Sequence, residues 1–131
     1  MSYEKIDCET PDDFFEVYEK MKDKEGYWLG WFSGKVDEAT GISWCPDCIA
    51  ADPHIIEALE KFWEDKLVVK ATVTRDEWRG NTEHPFRKHT QLGLQGVPTL
   101  VVFQKDAQLM KVDDDGLQDD EELEELLTMY K

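Results

Sequence analysis

Three things are scarce in this 131-residue chain: positive charge, cysteine and long apolar runs. Fifteen Lys and Arg face 30 Asp and Glu, a formal net charge of −15. A surface of that sign repels phosphate backbones and anionic lipid, so nucleic acid and membrane are excluded as expected partners. The acid is concentrated between Asp106 and Glu125, where ten carboxylates stand against one Lys. No apolar run approaches the roughly 20 residues that span a bilayer. The opening Met1-Ser2-Tyr3-Glu4-Lys5 has neither the basic flank nor the apolar stretch of a secretory leader, so a cytoplasmic location is expected. Three cysteines in such a chain argue against a structural disulfide framework.

What is present is enough apolar and aromatic material, including five Trp and six Phe, for one domain spanning residues 1–131. No repeat or low-complexity segment interrupts it, and a monomer is expected. Thr10-Pro11-Asp12-Asp13 has the hydroxyl, proline and carboxylates of a helix start, followed by Phe14, Val17, Tyr18 and Met21 on one face. Tyr27–Phe32 has strand length and is ended by Ser33-Gly34; a polar loop, Lys35–Ser43, follows. Ile49–Trp63 is predicted helical and bent at Pro53, and Leu67–Val73 is a β-branched central strand. Residues 74–85 read as loop, Phe86–Leu92 as a short helix, Thr99–Phe103 and Gln108–Val112 as paired strands, and Asp119–Tyr130 as a closing helix. That order implies an α/β fold, a mixed central sheet with helices on both faces.

The chemistry is concentrated in Trp44-Cys45-Pro46-Asp47-Cys48. Disulfide exchange needs one thiolate to attack and a second thiol to resolve the mixed disulfide. At a helix start, unpaired backbone N–H groups stabilise the anion on Cys45, the expected nucleophile. Cys48, three residues on and better shielded, is the expected resolving thiol, and the pair would close a redox-active disulfide. Pro46 suits the first helical position, where its missing N–H costs nothing. Asp47 places negative charge beside the thiolate, which should raise its pKa, and is the nearest candidate to take the proton that Cys48 must lose. Pro46 and Asp47 are therefore the residues expected to tune the redox potential. Cys8 is expected to be a bystander.

His84 and His89 offer a second pair for a zinc site, but 35 residues and a strand separate them from Cys48. No metal site is expected, and the histidines read as exposed residues flanking a short helix.

Trp44-Cys45-Pro46-Asp47-Cys48, Pro53 and Val97-Pro98-Thr99 resemble a thioredoxin. The Pro-Asp insert, Ser43, the loop Lys35–Ser43 and Phe86-Arg87-Lys88 resemble its thioredoxin domain-containing protein 17 branch, over nearly the whole chain. The resemblance implies a thioredoxin-like fold and a protein-disulfide reductase that works on protein or small-molecule disulfides and also on peroxide. It implies no bound cofactor, with electrons from NADPH through thioredoxin reductase. It also implies a cis Val97–Pro98 peptide facing the dithiol, with Trp44, Val97 and Pro98 docking substrate. The alternative is a redox-sensing adaptor whose dithiol controls partner binding without turnover. In two places the chain departs from ordinary thioredoxins. The buried Asp they carry before the motif is absent near Gly30 and Trp31, and Asp113-Asp114-Asp115 forms an acidic rim where they have a Gly. That rim is expected beside Pro98 and Cys45.

Overall fold

In the computed structural model, residues 3–130 are described, apart from the side chains of Asp114 and Asp115. A five-stranded mixed sheet carries the fold: β1 (Glu4–Cys8), β2 (Tyr27–Gly34), β3 (Leu67–Val73), β4 (Thr99–Gln104) and β5 (Ala107–Asp113). Their order across the sheet is β1-β3-β2-β4-β5. β3 runs parallel to both β1 and β2, whereas β4 is antiparallel to β2 and to β5. Among the described residues five α-helices accompany the sheet: α1 (Pro11–Lys20), α2 (Pro46–Phe62), α3 (Arg75–Trp78), α4 (Pro85–Lys88) and α5 (Asp120–Met129).

β2 is central, and both of its faces are covered. Because side chains alternate along a strand, Trp28 and Phe32 point to one face and Leu29 and Trp31 to the other. The first face is aromatic. Phe14 and Tyr18 of α1 meet Trp28, Phe32, Phe86 and Phe103 there. Trp28 stacks on Phe103 with ring centroids 4.3 Å apart, and the Phe14 ring lies 5.0 Å from Phe32 and 5.5 Å from Phe86. The second face is mainly aliphatic: Ile55 and Leu59 of α2, with Leu123 and Leu127 of α5, pack on Leu29, Trp31, Leu100 and Val102.

The expected helices and strands are present with shifted ends. Ser33 and Gly34 extend β2 instead of ending it, because both still pair with β3. Thr10 caps α1, its Oγ1 accepting from the Asp13 N–H at 3.1 Å. Pro53 lies inside α2 without ending it. Two elements were not anticipated. β1 is an exposed edge strand of alternating charge whose pairing with β3, not burial, makes it a strand, and its charges discourage further pairing. α3 falls in the stretch read as loop. Thr74 and Glu77 form a capping box there, a Thr-x-x-Glu signal that is visible in the sequence.

The aromatic face sets a measurable expectation. Phe14→Ala should cost about 3–5 kcal/mol in urea unfolding, because a fully buried ring leaves a cavity among rings that cannot collapse around it. The edge substitution Ile6→Ala should cost less than about 1 kcal/mol, since that side chain is 40 % exposed. Equal losses would show that α1 does not anchor the sheet.

Candidate active site

The end of β2 and the start of α2 meet at the two sulfurs. Cys45 is the N-cap of α2, and its Sγ accepts the Cys48 N–H at 3.2 Å. Pro46 and Asp47 occupy the first turn, as expected. Cys48 is fully buried beneath that turn, and its Sγ accepts the Gly34 N–H at 3.2 Å. All three cysteines are free thiols.

The surrounding polypeptide holds the motif from below. Ser43 Oγ donates to Gly34 O at 2.9 Å and accepts the Cys45 N–H at 3.2 Å. Trp44 Nε1 donates to Val73 O at 2.8 Å, fixing its ring to the end of β3. A Cβ on Gly34 would lie 2.7 Å from Cys45 Cβ and 2.9 Å from Ser43 Oγ. Only glycine permits this approach.

The two thiols are driven in opposite directions. A hydrogen bond from the Cys48 thiol lowers the Cys45 pKa, helped by the backbone N–H groups of Cys48 and Asp47, while burial and the Asp47 carboxylate oppose the shift. The expected effect of Asp47 is therefore present, but its own N–H works against its charge. Cys48 is pushed well above the ordinary thiol range, first by that hydrogen bond to Cys45 and then by burial; Ser33 and Gly34 oppose the shift. One thiol is poised to ionise, and its neighbour keeps its proton. Cys8 is pushed up to about 11, chiefly by burial and then by Asp13, Asp7 and Glu16. It sits in the core cluster on the α1 side of the sheet.

Val97–Pro98 is a cis peptide, and Val97 O lies 3.6 Å from Cys45 Sγ. Thr99 Oγ1 holds this turn by donating to Gly96 O at 2.7 Å. A groove of about 500 Å³ runs past Cys45; Trp44, Asp47 and Val97 line it, as do Trp78, Arg79 and Arg87. Arg87 stacks on Trp78 at 3.8 Å and donates to Gln95 O and Trp78 O.

Several expectations need correction here. Cys45, although the more accessible of the pair, is itself only 4 % exposed, with Trp44 and the Val97 turn beside it. Of the expected acidic rim, Asp113 pairs with Thr99 on β5 and is not among the groove's lining residues, and the side chains of Asp114 and Asp115 lie outside the described residues. The groove's cations, Arg79 and Arg87, were missed because α3 and α4 bring them there from a segment read mostly as loop. His84 is not an exposed flanking residue. It is 2 % exposed, its Nε2 lies 3.0 Å from Glu77 Oε1, and its Nδ1 accepts the Phe86 N–H. His89 packs on Phe15. Among the described residues no three His, Cys, Asp or Glu side chains gather as metal ligands, so the Cys2His2 alternative is not assembled.

Comparison with known proteins agrees with this geometry. The family model described as the thioredoxin domain of thioredoxin domain-containing protein 17-like proteins matches residues 9–129. Thioredoxin domain-containing protein 17 of Epinephelus coioides is 33% identical over 102 residues, covering 77% of this chain and 78% of its own. A Leishmania braziliensis protein named acireductone dioxygenase is 41% identical over 76 residues, 54% of this chain; the match spans only 22% of that longer protein. Thioredoxin O1 of Arabidopsis thaliana, solved in the oxidized state, superposes with a TM-score of 0.63 at 20% identity, covering 100% of both chains. That likeness is one of fold.

Alkylation by iodoacetamide, followed by peptide mass mapping, should modify Cys45 first. Its rate should rise with pH and level off below the pH at which an ordinary thiol ionises, since the thiolate is the reactive form and the Cys45 pKa is depressed. Cys8 should stay unmodified until far higher pH. Faster labelling of Cys48 than of Cys45 would reverse the assignment. Gly34→Ala should lower the melting temperature, at a cost of about 1–3 kcal/mol, and shift the Cys45 alkylation profile, because its methyl group must displace the motif.

Proposed function

The chain belongs to the thioredoxin domain-containing protein 17-like thioredoxin family, and from that footing we propose that it is a protein-disulfide reductase working through Cys45 and Cys48. A thiol–disulfide redox role is the family's general character. The observation that supports turnover by this chain is the opposed ionisation of two thiols at one helix start.

The Cys45 thiolate attacks a substrate disulfide in line, expels one substrate thiolate and forms a mixed disulfide. Cys48 then loses its proton and attacks Cys45 Sγ, releasing the second substrate thiol and leaving a Cys45–Cys48 disulfide. Trp44 and the Val97–Pro98 turn dock the substrate, and the Val97 backbone offers a short strand-like contact. Pro46 and Asp47 tune the potential: the first shapes the helix start, the second adds charge beside the sulfur. Electrons return from NADPH through thioredoxin reductase, with no cofactor bound to the chain, which works in the cytoplasm as a monomer. The groove beside Cys45 has room for small-molecule disulfides. Peroxide is a further substrate, the thiolate attacking one oxygen to give a sulfenic acid that Cys48 converts to the same disulfide with loss of water.

Two substitutions test this reading. Cys45→Ser should abolish reduction of a model disulfide in the presence of NADPH and thioredoxin reductase, whereas Cys8→Ser should leave it intact. Cys48→Ser should stall as a substrate adduct on Cys45, visible by intact-mass spectrometry. Residual turnover by purified Cys45→Ser would reject the assignment. A wild-type protein that oxidises once and never cycles would instead favour the redox-sensing adaptor.

A further inference from the structure

Resolution of the mixed disulfide leaves a proton without an evident destination. The Cys48 sulfur is surrounded by the Gly34 N–H, which only donates, the Ser33 hydroxyl, which is no base at neutral pH, and Cys45, whose sulfur is by then bonded to substrate. Asp47 is exposed at the first turn and lines the groove on the Cys45 side. Cys48 faces the other way, toward β2.

One turn further along α2 lies Asp52. Positions four apart share a helix face, so Asp52 follows Cys48 one turn along the same side of α2. Asp52 Oδ1 is enclosed and has no hydrogen-bond partner among the described residues, and Trp31 Nε1, also enclosed, has none among them either. Ser33 and Trp31, two apart on β2, face α2 together; the first meets Cys48 and the second continues that face along the strand. Trp31 pairs in register with Lys70 of β3, whose Nζ lies 4.2 Å from the Trp31 ring and attracts the Asp52 carboxylate. Lys70 thus links the Trp31 indole and the Asp52 carboxylate, one helical turn along α2 from the resolving thiol.

We propose that Asp52 is the proton acceptor for Cys48, the proton passing through a water held by Asp52 and Trp31 Nε1. Asp52 thus acts as a proton-accepting residue of the second step, in place of a carboxylate on the strand before the motif. The step balances: the Cys48 thiol becomes a thiolate as the Asp52 carboxylate becomes a carboxylic acid. The thiolate attacks Cys45 Sγ, the bond from Cys45 to the substrate sulfur breaks, and the departing thiolate takes up the proton from Asp52 through the same water or from solvent. Burial raises the Asp52 pKa and makes it a stronger base than a surface carboxylate; Lys70 pulls the other way and favours the charged form that can accept. Cys48 precedes it by one turn on the same helix, and Glu57 and Glu60 line the same groove outside α2 as Asp52. The loop side of that groove presents Val36, Gly41, Ile42 and Ser43, none of which titrates. Lys70 in turn borders a cleft with Asp7, Glu9, Lys35, Asp37 and Glu38.

This inference rests on the disulfide-exchange reading, and one experiment separates the two. The reduced full chain is mixed rapidly with bis(2-hydroxyethyl) disulfide, quenched in acid and weighed, so that the Cys45 adduct and the Cys45–Cys48 disulfide are counted separately across a pH series. In wild type the second step should weaken as pH falls through the Asp52 pKa, since a protonated carboxyl cannot accept. Asp52→Asn should still form the adduct but convert it on the order of 100-fold more slowly at neutral pH, with that acid limb gone. Asp52→Glu should restore the limb. Lys70→Met should move it to higher pH, because losing the cation raises the carboxyl pKa, and it serves as the independent variant if Asp52→Asn does not fold. Resolution by Asp52→Asn at the wild-type rate and with the wild-type pH profile would overturn the proposal, as would a limb unmoved in Lys70→Met. Failure of wild type to form either the adduct or the Cys45–Cys48 disulfide would overturn the disulfide-exchange reading itself.

Discussion

A backbone N–H at the end of β2 and a sulfur in the first turn of α2 come within 3.2 Å of each other, and the site is organised around that contact. It exists because residue 34 has no side chain; a single Cβ there would lie 2.7 Å from Cys45. Once strand and helix are this close, the rest is constrained. Ser43 bridges the Gly34 carbonyl and the Cys45 amide, and the Trp44 indole is tied to the end of β3. The dithiol thus inherits the rigidity of the two central strands, which themselves are packed on both faces.

The chain carries a formal charge of −15, yet it lowers the pKa of a thiol. Distance resolves the conflict. Surface carboxylates beyond about 8–10 Å are largely screened at physiological salt, whereas hydrogen-bond donors touching the sulfur are not. The Cys48 thiol and the N–H groups of Cys48 and Asp47 are such donors. Arg79 and Arg87 line the groove that opens beside Cys45, so the field there departs from the molecule's overall sign. At the groove the Asp47 carboxylate is set against these two arginines.

β2 also explains why the acid assigned to the second step comes from a helix. Gly30 faces the aromatic side, where a Cβ would come within 3.0 Å of the Phe32 and Phe103 rings, so no carboxylate fits there. Trp31 takes the α2 side and is fully packed. Charge on that side is supplied by Asp52 of α2 and by Lys70 of the neighbouring strand, which acts on the Asp52 carboxylate and lies over the Trp31 ring.

Much of this protein is written in local patterns. The spacing of Cys45 and Cys48 with Pro46 between them, the hydroxyl-proline start at Thr10-Pro11 and the β-branched run at Leu67–Val73 each act over a few residues, and each appears where its pattern places it. Local pattern also accounts for the buried stripe of α5. Tertiary structure decided what depends on partners far along the chain. β1 is a strand only because β3 lies beside it, some 63 residues on. His84 is buried because Glu77 and the Phe86 amide satisfy it, and Cys45 is sheltered because the Val97 turn, 52 residues away, closes over it. No local pattern marks Asp52, one of whose carboxylate oxygens is enclosed only in the folded chain. Periodicity and capping are energies of neighbouring residues and so are legible in sequence; enclosure, and the pKa shifts that follow from it, arise only when distant segments exclude water together.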